Sequence, residues 1–228
     1  MSTRFGDHGR PGPVDAAPRT LTAADLRAWI ARAEQAVVRR RAYLDRLDAR
    51  LGDGDHGENM SVGLGEAVRA LSVDADAADP GEVLRRLGQL LVASVGGAGG
   101  SLYGTAFMEA GIAVGGGRVL DVTGLAAAFD AAAEGIARRG RCRAGDKTIY
   151  DAMRPAADAV ADAARDGGDL AMAMARATAA AWAGMRATRP LVARRGLALR
   201  LGDRSRGHLD PGAVSCFLLV RAMLPEQP

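Results

Sequence analysis

Fourteen residues, LDARLGDGDHGENM, hold three aspartates within eight positions, Asp48, Asp53 and Asp55, with His56 directly after them and Asn59 three residues on. Glycines 52, 54 and 57 loosen the chain between these acceptors. Three carboxylates about 5 Å apart repel by roughly 3 kcal/mol per pair at an effective dielectric near 20, so a folded chain gathers them only around a cation or in open water. The set lacks the soft ligands of a zinc site, and Glu58 stands where a calcium EF-hand loop needs glycine. A small, all-oxygen donor set suits Mg²⁺, which keeps waters and completes its shell with phosphates. An exposed acidic turn is the other reading of the same spacing.

Three further segments carry polar groups on pliant backbone. VGGAGGS (95–101) offers N–H groups without side-chain obstruction, as a phosphate cradle requires. GRCRAGDKT (140–148) approaches a P-loop, but Asp146 separates Gly145 from Lys147 and no strand precedes it, which excludes that motif. RSRGHLDPGA puts His208 and Asp210 ahead of a helix start, where they can contact an anion or ribose, or Asp210 can simply cap the helix. A helix beginning beside His56 and Asn59 would aim its free N–H groups at the metal site.

Helices must position these loops. Thr22 and Asp25 form a capping box, and Leu26, Trp29, Ile30, Ala33 and Val37 repeat on one face behind it. A second short helix is expected from Tyr43 to about Arg50, and another from near Asn59 to Leu71. Residues 81–95 carry a stripe of Val83, Leu84, Leu87, Leu90 and Leu91 after the break at Asp79-Pro80. Further helices are expected over 102–113, 123–138, 148–165 and 170–186, and a last one starts at Asp210-Pro211 with proline in its first turn. Residues 193–213 read as irregular. With 48% hydrophobic and only 4% aromatic residues, the apolar surface is mainly Ala, Leu and Val, which favours an all-α body.

Composition closes several function classes. Thirty basic and 27 acidic residues leave a net charge of +3, with no cationic run for nucleic acid. No apolar stretch approaches 18 residues, so no membrane span is expected. Cys142 and Cys216 form no CxxC pair and fit reduced thiols of a cytoplasmic protein. Residues 1–20, rich in Gly, Pro and charge, read as a disordered leader ahead of one domain over 21–228. Lys147 is the sole lysine and Asn59 the sole asparagine of an arginine- and alanine-rich chain, and both fall in the polar loops. At Lys147 a compact ammonium is expected to fit where a guanidinium does not.

In order, LDARLGDGDHGENM, ASVGGAGGSLYGT, GDKTIYDAMRP and GDRSRGHLDPGA make the chain resemble the nucleotide-binding L subunit of dihydroxyacetone kinases over nearly all of residues 22–225. The resemblance implies an antiparallel barrel of eight helices with a site at one end. It implies two Mg²⁺ ions on Asp48, Asp53 and Asp55. ADP or ATP would lie on His56, Gly57, Glu58 and Asn59, on Ala98 and Gly99, on Gly140 and Ile149, and on Asp210, Pro211 and Gly212. The chain departs from the family pattern at Gly99, commonly serine, at Ser101, commonly proline, and at Leu197, where an arginine reaches the nucleotide; Arg200 follows three residues later.

The implied activity is transfer of a phosphoryl group to dihydroxyacetone or a similar hydroxy-ketone held by a separate substrate-binding subunit. Either ATP exchanges, or bound ADP is recharged by a phosphocarrier of a phosphotransferase system; the resemblance leaves both open, and a homodimer as well. A non-catalytic nucleotide-loaded module that binds a transcription factor or an enzyme would carry the same sites. No catalytic base is legible.

Overall fold

The computed structural model of the chain describes residues 20–73 and 79–224; the expected leader, except for Thr20, lies outside them. The described residues form eight α-helices: α1 (Ala23–Asp48), α2 (His56–Val73), α3 (Pro80–Ser94), α4 (Gly97–Val114), α5 (Val122–Gly140), α6 (Tyr150–Arg165), α7 (Leu170–Ala187) and α8 (Pro211–Arg221), with a 3₁₀ segment at Leu197–Ser205. The only β pairing among them is an isolated bridge between Leu21 and Leu120. Each helix packs on its sequence neighbours, and α1 packs on α8, which closes the ring. Trp29 Nε1 donates to Leu219 O at 2.9 Å and Arg32 Nε to Ala222 O at 3.0 Å across that closing seam.

Glycines set the direction of the α3–α4 pair. A Cβ on Gly81 would lie 2.9 Å from Gly111 O, and one on Gly88 would lie 2.6 Å from Gly104 O. Contacts that rise along α3 while they fall along α4 make the two helices antiparallel, and the missing side chains allow backbone to meet backbone. Among the described residues the core is one cluster in which alanine does much of the filling, with Ala33, Ala67, Ala133, Ala152, Ala157 and Ala177 buried beside larger Leu26, Ile30, Leu64 and Leu87.

Two helix boundaries differ from the sequence expectation. The short helix over 43–50 is the end of α1, which runs unbroken for 26 residues. No Gly or Pro interrupts it, and Leu44, seven residues beyond Val37, continues the buried stripe. The glycine-rich stretch after Gly96 is not a turn but the first turn of α4. There Gly100 lies so close to Val95 O and Leu91 O that no Cβ fits, so the helix starts early to pack on α3. The capping box at Thr22 and Asp25, and proline in the first turn of α8, are as expected.

Candidate functional site

The α1–α2, α3–α4, α5–α6 and α7–α8 connections meet around one cleft of about 660 Å³. At the α1–α2 corner, Asp48 is the last helical residue. Gly54 takes φ 87°, a left-handed conformation that suits glycine, and thereby turns its own N–H and that of Asp55 onto Asp48 Oδ2 at 2.9 and 3.1 Å. Oxygens of Asp48, Asp53 and Asp55 then lie within 4.8 Å of one another. Burial raises the pKa of Asp48, the Gly54 N–H opposes that, and neighbouring Asp53 adds to the rise. Opposed oxygens on Mg²⁺ are about 4.2 Å apart, so this hard-donor triad fits that ion with little adjustment.

The first N–H groups of α2 are not free, contrary to expectation. Asp45, one turn before Asp48 on α1, accepts from Gly57 N at 2.7 Å and Glu58 N at 3.0 Å. Gly57 is buried against α1, where a Cβ would strike Arg41 O, and Glu58 pairs with Arg41 at 2.7 Å on the surface. Neither lines the cleft, whereas His56 and Asn59 do. His56 Nε2 lies 2.8 Å from Ser215 Oγ, which lies 2.7 Å from the Tyr103 hydroxyl. Burial lowers the imidazole to a pKa of about 4, against the pull of Asp45 and Asp53, so the ring is neutral near pH 7.

At the α3–α4 corner Gly96 is the N-cap of α4 and provides no side-chain cap, so the starting N–H groups at 97–99 open on the cleft. An anion is better placed here than at α2, whose end Asp45 already caps. At α5–α6, Gly140, Cys142, Thr148 and Ile149 line the wall, and a Cβ on Gly212 would come within 3.4 Å of Ile149 Cβ. Asp210 caps α8 by accepting from Ala213 N at 2.7 Å, and it lines the cleft with Pro211 and Gly212. Burial pushes its carboxyl up to about 7, against the lowering effect of the Ala213 N–H and the Lys147 charge. Ala98 and Gly99 lie on the same wall as the α4 start.

Lys147 is 2% exposed and takes φ 63°. Its ammonium donates to Thr188 O at 2.7 Å and His208 O at 2.5 Å, clasping both ends of the 188–208 segment. Burial lowers its pKa, and Asp210 and Asp151 oppose the shift. The His208 contribution is its carbonyl, and its ring is not on the cleft wall. Leu197 lines the cleft with Arg139, Arg195 and Arg200. Sequence reasoning missed Asp45, Tyr103, Ser215 and Arg195; only Asp45 had a signal, a fourth aspartate one helical turn before Asp48.

The DAK2 domain profile matches residues 50–225. The chain belongs to the DAK2 family. It is similar to the ADP-binding subunit DhaL of PEP-dependent dihydroxyacetone kinase 1 of Listeria innocua, at 39% identity over 87% of this chain and 94% of that protein. The corresponding DhaL subunit of Escherichia coli is 33% identical over 90% of this chain and 97% of that one. The crystal structure of C. freundii dihydroxyacetone kinase with AMP-PNP and Mg²⁺ superposes with a TM-score of 0.65 at 20% identity, over 97% of this chain and 38% of that one, and shares the fold. Among the described residues no helix is long and apolar enough to cross a membrane.

Proposed function

We propose that this DAK2 protein is the nucleotide-binding subunit of a dihydroxyacetone-type kinase, passing a phosphoryl group from a bound adenine nucleotide to a small hydroxy-ketone on a partner subunit. One observation carries the reading: a single cleft joins the all-oxygen triad of Asp48, Asp53 and Asp55 to the uncapped start of α4. Two Mg²⁺ ions on the triad would supply charge that neutralises phosphate oxygens. The α4 N–H groups at 97–99 would seat the phosphates, while neutral His56 with Asn59, Gly140, Ile149 and the Asp210–Gly212 corner enclose the rest of the nucleotide. In the transfer, the ketose hydroxyl oxygen bonds to the terminal phosphorus as the bond to the ADP oxygen breaks, and the hydroxyl proton leaves to a base on the partner.

The Listeria and E. coli relatives are ADP-binding subunits of PEP-dependent kinases, which favours recharging of bound ADP by a phosphocarrier over exchange with free ATP. The buried free thiols Cys142 and Cys216 suit a cytoplasmic home. The test combines the protein with a substrate-binding subunit loaded with dihydroxyacetone, and follows label from γ-labelled ATP or from a phosphorylated carrier. Label in the ketose, lost with Asp53→Asn, supports the kinase reading. Nucleotide that binds without transfer to any loaded partner would favour the regulatory module instead.

A further inference from the structure

The cleft holds four cationic side chains, and their surroundings separate them. Lys147 spends its ammonium on the carbonyls of Thr188 and His208. Arg139 and Arg200 line the cleft but make no hydrogen bond or ion pair among the described residues, so nothing fixes where their charge sits. Arg195 differs. Its Nε donates to Asp146 Oδ2 at 3.1 Å, and Asp146 is 1% exposed. Asp146 also fixes the neighbouring backbone, since its carbonyl accepts from Arg194 N at 3.0 Å. Its Oδ2 accepts a further bond from Arg143 N at 3.2 Å, which ties the carboxylate into its own loop. Among the described residues the two Nη groups of Arg195 have no protein partner, and the side chain borders the same cleft as the triad and the α4 start.

A guanidinium anchored at Nε keeps its outer edge, with two parallel donors, for a bidentate acceptor. Anchoring also removes most of the rotamer entropy that a free surface arginine loses when it captures an anion. We propose that Arg195, held by Asp146, is the guanidinium that grips the terminal phosphate of the bound nucleotide. Asp146 is the positioning residue and Arg195 the binding one. The inference rests on the nucleotide reading of the cleft. It makes the site selective for nucleoside di- and triphosphates over monophosphates through a residue the family motifs do not mark.

The experiment is calorimetric titration of the full chain with Mg-ADP and with Mg-AMP, for the wild type, Arg195→Gln and Arg195→Lys. Arg195→Gln is expected to weaken ADP binding on the order of tenfold to a hundredfold, the range of a lost charge-assisted fork, while AMP changes by less than about threefold. Arg195→Lys keeps the charge but loses the fork, and its ADP preference falls between the two. Equal weakening of ADP and AMP, or no change in either, would overturn the proposal, because a merely structural arginine moves both ligands together. If the wild type binds no Mg-nucleotide at all, the nucleotide reading itself fails, and that outcome appears before any variant is made. Should Arg195→Gln not fold, the double change D146N/R195Q, which leaves no buried carboxylate without its ion pair, is judged by the same ADP-to-AMP ratio.

Discussion

Replacing Lys147 tests how the cleft is held together. Its ammonium makes two charge-assisted bonds, at 2.7 and 2.5 Å, to Thr188 O and His208 O from a position 2% exposed. Lys147→Met keeps the stem but leaves two carbonyls without their donor, at about 1–3 kcal/mol each. Removing the buried charge returns part of that as relieved desolvation, so the net loss is about 3 kcal/mol. For a domain of this size such a loss lowers Tm by about 6–12 °C. Lys147→Arg keeps the charge but forces a larger planar group into a filled space, at about 1–3 kcal/mol of overpacking. Urea unfolding followed by circular dichroism measures both, with nucleotide affinity as a second readout, because Lys147 clasps the segment that carries Arg195 and Leu197. Lys147→Arg with undiminished stability and binding would refute the argument, as would Lys147→Met within about 1 kcal/mol of the wild type.

Asp53→Asn is expected to abolish Mg-dependent nucleotide binding while the metal-free protein melts no lower, since a like charge beside Asp48 is gone; unchanged binding would remove Asp53 from the ligand set. His56, with a folded pKa of about 4 against 6.5 unfolded, binds its proton first in the unfolded chain. Its contribution is therefore intact above pH 6.5 and lost as pH falls towards 4, by about 3 kcal/mol in total; an NMR titration of its ring with a midpoint near 6.5 would contradict this. Gly88→Ala puts a Cβ 2.6 Å from Gly104 O and is expected to cost about 1–3 kcal/mol in a urea titration, whereas a cost near zero would mean that α3 and α4 separate freely. Gly99→Ser meets nothing nearer than 3.7 Å, so it should fold normally and tighten nucleotide by adding a hydroxyl beside the α4 start; a loss of stability would contradict the space seen there.

The helical stripe from Leu26 to Val37 was legible because period and cap agreed, and the last helix because Asp210-Pro211 marks its start. The triad was legible because its three acids are adjacent in sequence, so that local turn geometry alone brings them together. What could not be read depends on distant chain. The Ser215–His56 contact joins residues 159 positions apart, and Asp146 meets Arg195 across 49. The early start of α4 was hidden for a related reason. Glycine reads locally as a turn, yet here it lets α4 press on α3, and only the packed pair reveals that use.

The most direct test of the central claim is calorimetric titration of the purified chain with ADP, first in Mg²⁺ and then in EDTA. A binding isotherm in Mg²⁺ that disappears in EDTA and with Asp53→Asn is the predicted result. No binding in Mg²⁺, or binding indifferent to EDTA, would contradict the assignment of Asp48, Asp53 and Asp55 to a metal that holds the nucleotide.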